Sequence, residues 1–292
     1  MGKKQYILIF SGVVLIILFA LLPKAVIVDN TESIDTDSNT AEVHTEDDGH
    51  DHSDHDHANE HTPNAAMNAH DKLPADTQNT LDSLEHEFSI AKSSSNKSTI
   101  ANTAYNLLIG MNKFDQAAGW KLASYGQSNN EEELKAGADA YYQAYTFAMS
   151  EQKSAKMAKL ARENYEKYIK VHGEDLDAKV KIGMTYVVSE APMQGIMMIR
   201  EVIAKDPDHQ LALSSLGVLS IQSGQYDKAI QRFEKIKKLY PEDMESRFYL
   251  AIALNNSGKK EEAIKEMKYI RKNADTEEIR LSATQTLAEW DN

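Results

Sequence analysis

Cysteine is absent from this chain of 292 residues. That excludes disulfides, CxxCH haem attachment and any thiolate metal site. Catalytic signatures are missing as well: there is no GxxxxGK[ST] phosphate loop, no GxSxG turn and no HExxH pair. No paired carboxylates stand in a recognisable catalytic context, so the chain is not expected to be an enzyme. A basic excess is also lacking, with 32 Lys and Arg against 45 Asp and Glu and a net charge of −13. Without a basic stripe there is no support for nucleic-acid binding.

The charge is unevenly placed. Residues 29–88 hold 17 Asp or Glu and one Lys, a net −16, whereas residues 89–292 hold 28 of each sign. The acidity therefore belongs to a spacer and not to the rest of the chain. Ahead of it, Lys3 and Lys4 precede the apolar run YILIFSGVVLIILFALL from Tyr6 to Leu22. A membrane span needs about 20 apolar residues, with about 17 as the low limit. Lysines in front and acid behind favour a cytoplasmic amino terminus with the remainder exported. Residues 1–28 thus read as a single-pass signal anchor in an inner membrane, with a periplasmic remainder. A cleaved signal peptide is the alternative, although no small-x-small site follows the run.

From Asp29 to about Ala75 the chain is acidic and poor in apolar and aromatic residues, which predicts disorder. As a flexible chain it would span roughly 40 Å. Seven of the ten histidines lie between His44 and His70, centred on GHDHSDHDH. His50, His52, His55, His57 and His61 are interleaved with Asp51, Asp54 and Asp56. Imidazole and carboxylate together suit loosely held Zn²⁺, Ni²⁺ or Cu²⁺. A polar spacer of biased composition and a pH-sensitive segment are the other readings of the same run.

Three later segments share one pattern at a 34-residue period. They run Ile182 to Pro207, Leu216 to Pro241 and Leu250 to Asp275. Ile182, Leu216 and Leu250 correspond, as do Gly183, Gly217 and Ala251. Gly195, Ala229 and Ala263 follow, then Ile199, Phe233 and Met267, then Val202, Ile236 and Ile270. Gly224 and Gly258 mark turns, where a left-handed backbone is cheap only for glycine. Pro207 and Pro241 close two of the units. The pattern resembles the tetratricopeptide repeat family.

The resemblance implies an all-α, right-handed solenoid of antiparallel helix pairs over residues 76–292. Clear repeats are expected at 176–209, 210–243 and 244–277, with degenerate ones at about 98–175. In the degenerate part, NKFDQAA repeats the turn logic of SGQYDKA, and Asn130 to Gln152 reads as an elongated first helix. A capping helix is expected over 276–290, with Asp275 and Glu278 as its capping box. Leu81, Leu84 and Phe88 suggest one more helix ahead of the array.

The family's inward-facing positions fall on Val180, Met184, Val187, Leu211, Ser214, Val218 and Ile221. The third repeat adds Glu245, Phe248, Ile252 and Asn255. The Lys, Asn and Arg of the family's carboxylate clamp are missing here. An apolar groove for a protein partner remains, suited to an amphipathic or unfolded segment. An adjoining helix, such as the one near Leu81 to Phe88, could fill it instead. Met193 and Met197, one turn apart, read as packing residues. The same holds for Tyr141, Tyr142 and Tyr145. His172 and His209 are expected to meet carbonyls at helix ends.

Overall fold

The computed structural model describes residues 73–291. The expected anchor, the histidine run and nearly all of the expected linker lie outside them. Among the described residues there are twelve helices and no strand. None is long and apolar enough to cross a membrane. The helices from Ser83 onward belong to one compact unit, and residues 73–82 to a second.

We number the helices α1 (Ala75–Ile90), α2 (Ser94–Gly110), α3 (Phe114–Ser128), α4 (Glu131–Thr146), α5 (Glu151–His172) and α6 (Leu176–Val187). They continue with α7 (Pro192–Lys205), α8 (Gln210–Gln222), α9 (Tyr226–Leu239), α10 (Met244–Asn256), α11 (Lys260–Asn273) and α12 (Glu277–Asp291). From α2 onward each helix packs chiefly on its neighbours in sequence, and α6, α8 and α10 also touch in succession. This is a stack of helix pairs in which α2, α4, α6, α8 and α10 are the first helices.

Local chemistry explains how each pair is built. The first helices start on side-chain caps: Ser93, Asn130, Asp175 and Asp243 each accept a backbone N–H from the first turn. Inside three of the pairs the chain reverses through a Schellman turn. Lys113 N–H donates to Leu108 O, Gln225 to Ser220 and Lys259 to Leu254, all at 2.8–2.9 Å. The residue before each donor is left-handed: Asn112 at φ 58°, Gly224 at 74° and Gly258 at 84°. Asparagine tolerates that region better than most residues, so the degenerate repeat keeps the turn without glycine.

Close approach explains the small residues. A Cβ on Gly217 would lie 2.6 Å from the Phe233 ring, and one on Gly183 would lie 2.8 Å from the carbonyl oxygen of Gly195. A Cβ on Gly195 would in turn strike the carbonyl of Gly183. The pairs close over a layered core. Val180, Ile199, Val202, Ala212 and Leu216 form one cluster, and Leu213, Phe233, Ile236, Tyr249 and Leu254 another. At the carboxyl end α12 lays Ile279, Ala283 and Leu287 over Phe248, Met267 and Ile270.

Several local expectations need correction. The long helix of the α4–α5 pair is the second, with 22 residues against 16. Thr276, not Asp275, caps α12: its hydroxyl accepts from the N–H of Ile279 at 3.4 Å. Met193 and Met197 are exposed and do not pack in the core. His209 heads α8, where Nδ1 accepts the N–H of Ala212, and His172 meets the Glu131 carboxylate at 2.9 Å. Neither histidine meets a terminal carbonyl there. The last turn of α1 sets Phe88 edge-on to Trp120 of α3, at 5.8 Å between centroids. Phe88 therefore lies at the opposite end of the stack from α8 and α10.

Candidate binding face

The first helices share a face whose character changes along the stack. Its amino-terminal part, on α4 and α6, is polar and aromatic. Asp139 of α4 accepts from Tyr165 at 2.5 Å, from Lys181 of α6 at 2.5 Å and from Lys135 at 3.0 Å. Burial alone would raise the Asp139 pKa, but the Lys181 and Lys135 charges outweigh it and hold the carboxyl below its usual range. Lys181 also stands over the rings of Tyr142 and Tyr165, at 5.8 and 5.6 Å. Burial pushes the Tyr145 hydroxyl up to about 12. The same effect, with Asp139 beside it, sets Tyr165 well above its ordinary value. The charged groups of this region pair with one another and join α4 to α5 and α6. Nothing in local sequence pairs Asp139 with Lys181, because they stand 42 positions apart.

An open recess of about 640 Å³ lies at the start of α4, lined by Asn130, Glu131, Lys135, Asp139, Tyr168 and His172. Four of its ionisable groups pair with one another: His172 with Glu131, and Lys135 with Asp139. Among the described residues there is no cluster of three or more His, Asp or Glu able to hold a metal. The histidines of the linker lie outside those residues.

The carboxyl-terminal part, on α6, α8 and α10, is apolar. Met184, Val187, Leu211, Val218, Ile221 and Ile252 are all half-buried. Ser214 and Asn255 are half-buried too and supply sparse polar groups. Val180 and Phe248 are not part of this surface. Val180 is fully buried against Ile199, Val202 and Ala212, and Phe248 lies beneath α12 among Met267, Ile270 and Ile279. At that repeat position the following helix takes the side chain, so a large apolar residue becomes core.

Glu245 stands apart from every other enclosed acid. It lies in the first turn of α10, seven residues before Ile252 and thus on the same side of the helix. It is half-buried, and among the described residues no hydrogen bond or ion pair reaches it. Burial, with a lesser push from Asp243, raises its carboxyl to about 8. The other enclosed carboxylates all have partners. Glu133 accepts from Ser98 and Ser128, and Glu266 takes Arg247 at 2.8 Å and Lys237 at 3.1 Å.

Comparison with known proteins agrees with the helix-pair stack. Two family models described as tetratricopeptide repeat match, one at residues 181–243 and the other at 220–286. Residues 181–286 therefore carry tetratricopeptide repeats, elements that mediate contacts between proteins. No curated protein matches the chain in sequence. Among solved structures, a crystal structure of MamA protein is 18% identical, with a TM-score of 0.41, covering 68% of this chain and 97% of that one. YrrB, described as a TPR protein with an unusual peptide-binding site, is 15% identical at a TM-score of 0.40. That match covers 72% of this chain and 99% of YrrB.

Proposed function

We propose that this protein is a membrane-tethered interaction scaffold whose α6, α8 and α10 receive an apolar segment of a partner protein. The observation that carries the reading is the run of half-buried apolar side chains on three successive first helices. Met184, Leu211, Val218, Ile221 and Ile252 keep part of their surface in water where a soluble array would gain by placing polar residues. Covering that surface with a partner's apolar residues is worth about 25 cal/mol per Å². Lys3, Lys4 and the run Tyr6 to Leu22 support a single-pass anchor, with the repeats on the exported side. The acidic stretch after it would hold the repeats clear of the membrane.

The test is crosslinking of the membrane-bound protein, followed by identification of what it captures, for the wild type and for Val218→Asp. Val218 touches the core cluster only from its rim, so the aspartate should leave the fold intact. Loss of one specific crosslinked partner, with helicity and melting temperature retained, is the expected result. Unchanged capture by a folded Val218→Asp variant refutes the reading.

A further inference from the structure

We propose that Glu245 is the acceptor for a lysine or arginine of the bound segment, which makes the partner a cationic amphipathic helix. The inference rests on the docking face assigned above and adds the chemistry of its occupant. Its starting point is an unmet demand. A carboxylate withdrawn from water needs a cation or several donors, and one left without them is costly. This array meets the demand at Asp139, Glu133 and Glu266, and leaves it open at Glu245 alone among these acids.

Among the described residues, none of the charged groups near Glu245 pairs with it. α8, which packs against α10, contains no charged residue between Gln210 and Gln222. Its capping His209 turns to Asp177, at 3.4 Å, and Gln210 gives its amide to Asp243, at 2.7 Å. On α10 itself Asp243 repels, Tyr249 brings no positive charge, and the Arg247 guanidinium pairs with Glu266 and stands over the ring of Tyr269. On α9, Lys237 is held by Glu234 and Glu266, Lys235 by Asp208, and Arg232 by Ser220. The cations of α11, from Lys260 to Lys272, are exposed. Arg280 of α12 is paired with Glu277.

The surroundings define what would fit. Glu245 and Ile252 lie two turns apart on α10, about 10 Å. Val218 and Ile221 stand on the neighbouring α8. A helix with an apolar stripe at i, i+3, i+4 and i+7, and with a Lys or Arg at its edge, would cover the apolar residues and deliver its cation to the acid. The acidic first turn of α4 shows the alternative role for such a residue, which is to complement the helix dipole. That role favours the ionised form, whereas enclosure holds Glu245 protonated near neutrality. Seating a cation then expels a proton, so binding should tighten as pH rises.

The test uses the full chain in a neutral detergent and a labelled 14-residue peptide, LKKLLKLLKKLLKL, beside its analogue with Gln at every Lys. The wild type should bind the Lys peptide at least tenfold more tightly at pH 8.5 than at pH 6, releasing about one proton at pH 6, and should bind it more tightly than the Gln peptide at pH 8.5. Glu245→Gln should lose the pH dependence and about tenfold in affinity at pH 8.5, while binding the Gln peptide unchanged. If the wild type binds both peptides alike, fails to bind the Lys peptide, or keeps its pH dependence in Glu245→Gln, the cation site is wrong. If Val218→Asp also leaves both affinities untouched, the underlying docking face fails too.

Discussion

Replacing Glu245 by Gln should make this protein more stable, and more so the higher the pH. The unperturbed carboxyl has a pKa of 4.5, and enclosure raises it to about 8. Below pH 4.5 both the folded and unfolded chains carry the protonated acid, and nothing is lost. Between the two values the folded chain holds a proton that the unfolded chain has released, so stability declines as pH rises and is fully spent above about 8. The gap corresponds to roughly 5 kcal/mol at 1.36 kcal/mol per pH unit. Water still reaches part of the side chain, so about 2 kcal/mol is the working figure. Gln copies the shape of the neutral acid and cannot ionise, which removes the loss. For an array of this size 1 kcal/mol moves the melting temperature by about 2–4 °C. Glu245→Gln should therefore melt about 4–8 °C above the wild type at pH 8.5, and about a third of that above it at pH 5.5. Thermal unfolding followed by circular dichroism at both pH values is the assay. A variant that melts below the wild type at pH 8.5 refutes the argument, because the acid would then be serving the α10 dipole. A constant difference between the two pH values refutes it as well.

Gly195→Ala should cost about 2–4 kcal/mol by urea titration, since its methyl meets the Gly183 carbonyl, a backbone atom that cannot move aside. Gly119→Ala, in open space within α3, should instead gain up to about 1 kcal/mol. Asp139→Asn should cost about 2–3 kcal/mol at pH 7, because Lys181 and Lys135 lose their anion. The wild-type advantage is present above pH 3.8 and fades as acid protonates Asp139, so a second titration near pH 3 should show the difference closing. Val180→Asp should unfold at least the first clear repeat, seen as lost helicity, whereas Val218→Asp should keep its melting temperature within a few degrees. Deleting residues 44–70 should leave partner capture intact; lost function with capture retained would favour a metal role for the histidines.

The parts of this fold that local chemistry decides could be read along the chain. A turn needs a residue that accepts positive φ, and Gly224 and Gly258 stand where two of the reversals occur. A close helix crossing needs small side chains, hence Gly183 opposite Gly195 and Gly217 under Phe233. The degenerate pair α2–α3 was harder to recognise because Asn112 does the work of glycine and the next pair is lengthened on its second helix. What local chemistry does not decide is which inward position stays open. Val180, Ser214 and Phe248 occupy one repeat position, yet only Ser214 keeps contact with water. The following first helix claims Val180, and α12 claims Phe248, so the answer depends on elements 30 or more residues away. The Asp139–Lys181 pair was hidden for the same reason.

Glu245 shows how these two kinds of information combine. Its position in the repeat marks it as inward, and by sequence alone an inward glutamate in a first turn is an ordinary dipole partner. Only the inventory of neighbours changes its meaning. α8 brings no charge, Arg247 is spent on Glu266, and Asp243 adds repulsion. A free carboxylate in that setting costs stability at neutral pH, and a simple substitution to Gln would remove the cost. Retaining the acid makes physical sense when a bound cation returns more than the free protein loses. The stability gain in Glu245→Gln measures what enclosure of the acid costs the free protein, and the loss of cationic peptide measures what a bound cation returns, so the cation site requires both.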